Sequence, residues 1–153
     1  MIYIILDTLD DGICWIVSCT KKKIWDVDKD APKHVPAYNA YKGSTFLKWL
    51  LFVKDKESKG EYIDWYIFSS KYGIIKPYKE IENYDMHFIN NADQAISEDE
   101  LIEKIKKLSQ KNYKDFYFIG SDEYYMKLKD IFKKEKIDLW WCEIVYEINI
   151  QPI

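Results

Sequence analysis

A chain of 153 residues fits one domain with a full hydrophobic core, and a hydrophobic content of 48% excludes intrinsic disorder. A formal net charge of −3 excludes a global basic field, so any nucleic-acid binding needs a local lysine patch. All 23 basic residues are lysines, which excludes an arginine fork or finger and leaves phosphate contacts to lysines, hydroxyls and backbone N–H groups.

Met1 to Leu6 is apolar and β-branched and predicts a first strand, closed by the turn chemistry of Asp7 to Gly12. Ile13 to Cys19 predicts a second strand. A polar stretch from Thr20 to Gly43, with Pro32 and Pro36, reads as a long loop, and loops of that length in compact domains usually carry function. Ser44 opens a helix whose buried positions are Phe46, Trp49, Leu50 and Val53, and Gly60 ends it. Asp64 to Ser69 is the third strand, followed by a second irregular stretch from Lys71 to Ile96. Ser97 and Glu100 form a capping-box pair, with Ile96 and Leu101 as a hydrophobic staple, and Leu101, Ile105 and Leu108 make the buried stripe of that helix. Asp115 to Ile119 is a fourth strand. Gly120-Ser121-Asp122 starts the next helix, with Tyr124, Leu128, Ile131 and Phe132 facing inward. The last segment, Ile137 to Ile150, alternates, with Trp140, Cys142 and Ile144 on one face and Glu143, Glu147 and Asn149 on the other. It reads as a half-exposed antiparallel edge strand.

Strands alternating with helices predict one α/β domain over residues 1–153, with a mixed, mostly parallel sheet of about five strands covered by about three main helices. Open sheets of this type bind ligands at the carboxyl ends of their strands. Three polar turns converge on that rim: Ser18 to Lys21, Ser69-Ser70-Lys71 and Gly120-Ser121-Asp122. The middle one closes the apolar strand Trp65 to Phe68 with two hydroxyls, a lysine and Gly73.

The residue types on this rim point to an anion. Ser18-Cys19-Thr20-Lys21-Lys22-Lys23 offers strand-end amides and three ammoniums to a phosphate. The same run also reads as a buried small Cys19 followed by solvated lysines. Lysines beside Cys19 can lower a thiol pKa, although no Cys-His signature accompanies it. Lys42-Gly43-Ser44 places a lysine and a glycine at a helix start, where first-turn N–H groups hold oxyanions, or where Ser44 is an ordinary N-cap. Lys71 is a phosphate ligand, a Schiff-base nucleophile if buried, or a solvated lysine. Asp85 and His87 suggest an acid/base pair. Gly120 and Tyr124 contact a nucleoside or simply serve turn and core. Of the aromatic residues, 17% of the chain, most are core and a minority are available to stack on a base.

The cysteines, Cys14, Cys19 and Cys142, are odd in number and lack metal-ligand spacing. They read as reduced thiols of a cytoplasmic protein. No signal peptide is predicted, and Lys48 and Lys54 interrupt the longest apolar run before it reaches membrane-spanning length.

Five elements in order resemble a small domain family of unknown function that is distantly similar to the peroxide-stress protein YaaA. Its Ser-Cys-Ser/Thr-Lys element is Ser18-Cys19-Thr20-Lys21. Its Pro-Ala-Arg-x-Leu-Tyr-x-Gly-x-x-Phe element corresponds to Pro36 through Phe46, with Tyr41 and Gly43 in register. Leu-Ser-Ala-Lys-Tyr-Gly-Leu corresponds to Phe68 through Ile74, Ile-x-Pro-Tyr-Asp to Ile81 through Asp85, and a strand-Gly-x-x-Tyr element to Gly120 and Tyr124. The likeness covers roughly residues 13 to 135. The family's arginine is Tyr38 here, and its proline is Asn83. The resemblance implies links to nucleic-acid protection, DNA binding and modified-base metabolism, with some relatives excising or exchanging bases.

Two readings follow, beside a third in which the chain is an interaction protein whose rim is vestigial, to which the missing family arginine gives weight. One is an enzyme acting on a nucleoside N-glycosidic bond. Asp85 would stabilise an oxocarbenium ion, Lys21 and Lys71 would hold phosphate, and Ser18, Cys19, Ser69, Gly43, Gly73 and Gly120 would line the site. Tyr41 or Tyr72 would stack on the base. The other is a non-catalytic module binding nucleic acid or nucleotide in a stress or mobile-element setting. Neither requires a metal, another cofactor or a membrane, and the chain is expected as a monomer or a homodimer paired through a sheet edge.

Overall fold

A computed structural model describes residues 2–4, 12–85 and 95–144. In chain order its elements are β1 (Ile2–Ile4), β2 (Ile13–Ser18), α1 (Ile24–Val27), β3 (Val35–Pro36), α2 (Ala37–Ala40), α3 (Ser44–Ser58), β4 (Trp65–Ser69), β5 (Gly73–Ile75), β6 (Glu80–Ile81), α4 (Glu98–Ser109), β7 (Asp115–Ile119), α5 (Asp122–Lys134) and β8 (Leu139–Ile144). The expected α/β sheet is present as β8-β7-β2-β4-β5, and the short β1 extends it along the outer side of β8. All its pairings are parallel except β4 with β5, which form a hairpin.

The helices form where the apolar spacing and caps place them. Ser97 accepts a hydrogen bond from Glu100 N at 3.2 Å, and Leu101, Ile105 and Leu108 are buried. Ser121 caps α5 in the same way, and Tyr124, Leu128, Ile131 and Phe132 face inward as predicted. In α3 the cap is Gly43 rather than Ser44, and the buried stripe is Phe46, Trp49, Phe52, Val53 and the stem of Lys56, with Leu50 only half-buried. One face of the sheet packs on α3, where Trp15, Trp49, Phe52 and Trp65 interlock, Trp15 and Trp49 with ring centres 5.2 Å apart. The other face packs on α4 and α5 through Phe68, Phe116, Phe118 and Phe132. Each such fully buried ring contributes roughly 1.5–3 kcal/mol of transfer free energy.

Two expectations are corrected. The last strand is neither antiparallel nor an edge: β8 runs parallel to β7 and lies between β7 and β1. Both of its faces pack, Leu139 and Trp141 toward α5 and Cys142 toward the opposite layer. The crossover through α5 returns the chain in the same direction, and the unbroken run Leu139 to Cys142 is what a doubly covered strand requires. Residues 145–150 of the expected strand lie outside the described residues. The second correction concerns the polar stretch 20–43, which is tied down. Val35 pairs with Ile81, Ala37 N donates to Lys79 O at 2.8 Å, Tyr38 N to Pro77 O at 2.9 Å and Lys42 N to Lys22 O at 2.9 Å. These bonds bring Lys21 to Lys23 against the segment that carries Tyr84 and Asp85.

Candidate functional site at the carboxyl rim

Because β2, β4 and β7 are parallel neighbours, their carboxyl ends share one rim, as the three turns required. Ser18 stands in register with Phe68, and Cys19 N continues the ladder by donating to Phe68 O at 2.9 Å. Gly120 packs directly on Ser18: a Cβ there would lie 2.4 Å from Ser18 Cβ. Its carbonyl accepts from Trp141 Nε1 at 3.1 Å. Close backbone approach, then, explains this glycine.

On the rim opens a cavity of about 650 Å³, lined by Lys21, Lys22, Lys23, Asp26, Asn83, Tyr84 and Asp85. That volume lies in the range of small-molecule sites. Lys23 and Tyr84 are buried at its floor, while Lys21, Lys22, Asn83 and Asp85 are exposed at its mouth. The Lys23 ammonium lies 4.5 Å from the centre of the Tyr84 ring and donates to Lys21 O at 3.2 Å. Burial holds this amine below the ordinary lysine range, opposed by the Cys19 thiol and then by the carboxylates of Asp26 and Asp85. Asp26 is partly committed, since it accepts from Lys23 N at 2.8 Å.

Behind the floor runs a chain of buried hydroxyls. Tyr41 Oη and Tyr84 Oη are 2.6 Å apart, and Ser69 Oγ is 2.9 Å from Tyr84 Oη. Ser69 Oγ already accepts from Lys71 N at 3.2 Å and Tyr72 N at 3.1 Å, so its own proton is the one that points to Tyr84. Burial pushes both tyrosine hydroxyls above their ordinary value, Tyr84 well above it.

The sequence-predicted residues therefore divide. Lys21 and Asp85 line the cavity; Tyr41 and Ser69 stand behind it. Tyr41 is fully buried and packed by a tilted Phe46 ring and an edge-on Tyr84 ring, so it has no open face for a base to stack on. Tyr72 is half-buried, with its hydroxyl accepting from Glu82 N at 3.2 Å and the ammoniums of Lys71 and Lys79 over its ring at 5.1 and 5.8 Å. Lys71 does not line the cavity. Gly43 N donates to Thr20 Oγ1 at 3.1 Å, which in turn donates to Lys22 O at 2.8 Å, so this amide is spent on docking the lysine turn against α3. Ser18 Oγ donates to Cys19 O at 3.0 Å. Gly73 serves the hairpin, with φ +79 and space for a Cβ filled by Ile96. The Cys19 thiol is raised, not lowered: desolvation outweighs the hydrogen bonds and the Lys23 charge that act the other way. That removes the thiolate reading of Cys19 at neutral pH. His87 lies outside the described residues.

Sequence reasoning had Lys23 only as one of three ammoniums offered to an anion and Tyr84 only as the neighbour of Asp85, and singled out neither. Their signal was present, in a lysine run entering the apolar pair Ile24-Trp25 and in the Tyr84-Asp85 element, but which lysine turns inward depends on the bridge between Lys23 and Tyr41. Among the described residues no cluster of His, Cys, Asp and Glu side chains is placed to hold a metal ion, and no helix is long and apolar enough to cross a membrane.

The chain is similar to the uncharacterized protein YfjM of Bacillus subtilis (strain 168), with 28% identity over 126 residues that cover 82% of this chain and 80% of that one. No solved structure matches it. Residues 14–140, which hold the rim, the cavity and the first two residues of β8, match the family of unknown function DUF6884, and the chain belongs to that family.

Proposed function

We propose that this chain is a nucleotide- or nucleic-acid-associated protein whose rim cavity acts on a nucleoside N-glycosidic bond. The observation that carries the reading is the sharing of one cavity by exposed lysines, a buried ammonium and the Asp85 carboxylate. Lys21 and Lys22 suit a phosphate at the mouth, the task that falls to lysine in a chain without arginine. Asp85 lines the same cavity, where a carboxylate stabilises an oxocarbenium ion or orients water. In the reaction the C1′–N bond breaks, its electron pair leaves with the base, which takes up a proton, and water or an incoming base adds to C1′. Lys23 supplies a buried positive charge on the same cavity floor, and the Asp85 carboxylate acts on that charge.

A second reading, binding without chemistry, is favoured by one observation. The hydroxyls of Tyr41, Tyr84 and Ser69 are engaged with one another and with backbone amides, which leaves Asp85 as the main reactive group. The finer kinship we infer is with the YaaA group, because the three motif turns meet at this rim. We further infer a cytoplasmic setting from three free thiols, of which Cys142 is pushed up to about 12 by burial.

Incubation with DNA, RNA and mononucleotides carrying modified bases, followed by chromatography of released base, tests the proposal. Asp85→Asn is expected to lower release by about 100-fold or more and to leave nucleotide binding within a few-fold. Release that is unchanged in Asp85→Asn removes its assigned role. Binding without any release establishes the second reading.

A further inference from the structure

The sheet ends at β5, and beside it lies a second groove, of about 590 Å³, that shares no lining residue with the rim cavity. Five of its wall residues are lysines. Lys76 and Lys79 follow β5, and Lys104, Lys107 and Lys111 come from one side of α4 and the turn after it, at i, i+3 and i+7. No carboxylate lines this groove among the described residues. Glu100 approaches Lys104 and Asp64 approaches Lys111 from outside it, and neither forms an ion pair there. Elsewhere lysines of the helices have carboxylate partners, Lys106 with Glu103 and Lys59 with Asp55 within one turn, and Lys134 of α5 with Glu98 of α4. In a chain of net charge −3, such a one-sign cluster is a local departure from the surface as a whole.

The walls are also set in place. Lys104 Nζ donates to Ile74 O at 3.4 Å across the sheet edge, and Lys111 Nζ donates to Tyr66 Oη at 2.8 Å. Desolvation holds the Lys104 ammonium below its ordinary value, and the like charges of Lys79 and Lys107 act in the same direction. An added polyanion relieves that repulsion. At the mouth stands Tyr78, 71% exposed. Its ring meets Tyr38 at a steep angle, with centres 6.2 Å apart, and is otherwise open. A basic groove with an exposed aromatic ring is the combination that binds single strands, lysines following the phosphates and the ring stacking on a base.

We propose that the groove between β5 and α4 is a track for the sugar-phosphate backbone of single-stranded nucleic acid. It rests on the nucleic-acid reading of the protein for its choice of polymer, but on none of the residues of the rim cavity. Lysines at a sheet edge also guard against edge-to-edge pairing, and the test separates that role from binding.

The test is fluorescence anisotropy of a labelled 12-nucleotide oligothymidylate against the full chain over a range of salt concentrations. Lys76→Gln with Lys107→Gln is expected to weaken binding several-fold and to flatten the plot of log K against log salt by about 1.4, about 0.7 for each lost phosphate contact. Tyr78→Ala is expected to weaken the oligothymidylate but not an abasic oligomer of the same length. Both lysines and Tyr78 are exposed, so the variants are expected to melt as the parent does. Lys129→Gln with Lys133→Gln on α5 is the charge-matched control and is expected to change nothing. Asp85→Asn is expected to leave oligomer binding intact, so failure of the cavity reading and failure of the groove are read separately. The proposal is overturned if the Lys76/Lys107 variant keeps the parent affinity and slope, whether or not it dimerises. It is equally overturned if the α5 control weakens binding as much, or if a glutamate 12-mer competes as well as the oligothymidylate.

Discussion

The Tyr84 hydroxyl joins Tyr41 at 2.6 Å to Ser69 at 2.9 Å, and all three residues are buried. Removing it by Tyr84→Phe leaves two buried partners short of a hydrogen bond, at a cost of about 1–3 kcal/mol, read as a lower urea midpoint at pH 7. The same residues set an alkaline limit. Both tyrosines are raised above the ordinary value of 10.0, chiefly by burial, so the fold keeps protons that the unfolded chain releases. Their stabilising effect is therefore complete below pH 10 and is lost as pH rises from there toward the folded values, by about 1.4 kcal/mol per pH unit per tyrosine. Tyr84→Phe is expected to flatten that decline, and equal slopes for parent and variant above pH 10 would show that the hydroxyl chain is not its source. At this scale the sequence was legible in part. It named Lys21, Asp85, Ser69 and Tyr41, and it left Cys19 open between a buried small residue and a thiol whose pKa its lysine neighbours lower. The burial that decides between the two comes with docking of the turn on β4, far along the chain, and it outweighs the hydrogen bond from Tyr84 that acts the other way.

Elements meet tightly where the Cys19–Lys23 turn docks on the start of α3. A Cβ at Gly43 would lie 2.5 Å from Thr20 Cγ2 and 2.7 Å from Thr20 Cβ. Gly43 has φ −67, so alanine is allowed by its backbone and any loss comes from the contact alone. Gly43→Ala is expected to cost about 1–3 kcal/mol and to lower the melting temperature by several degrees, with the Gly43–Thr20–Lys22 hydrogen bonds broken as Thr20 moves away. An unchanged melting temperature would mean that the turn has slack there. Helices α3, α4 and α5 were legible because caps and 3.6-residue spacing are local. The direction of β8 was not, because an alternating strand looks the same whether it returns by a hairpin or by a crossover. The ties of residues 20–43 to Pro77, Lys79 and Ile81 were equally hidden, since such bonds use backbone atoms that every residue has.

Both faces of the central strands are buried, and this decides how the molecule as a whole unfolds. Trp15 and Trp65 face α3, while Cys14, Ile16, Tyr66 and Phe68, their neighbours along β2 and β4, face α4 and α5. Neither layer can lose its sheet face without stripping the other, so the two are expected to unfold in one transition. Tryptophan reports mainly the α3 layer, where Trp15, Trp49 and Trp65 are core and Trp25 packs against them, whereas far-UV circular dichroism weights all three long helices. Urea curves from the two probes are expected to coincide. Trp15→Ala, which removes a ring in contact with Trp49, Phe52 and Tyr117, is expected to cost about 3–5 kcal/mol and to shift both curves together. If the tryptophan signal instead moved to lower urea while the dichroism stayed, the layers would be separate units. The rim cavity, built from turns belonging to the α3 layer and to the hairpin segment, would then open without global unfolding. Coincident curves tie the geometry of Lys23, Tyr84 and Asp85 to the stability of the whole sheet.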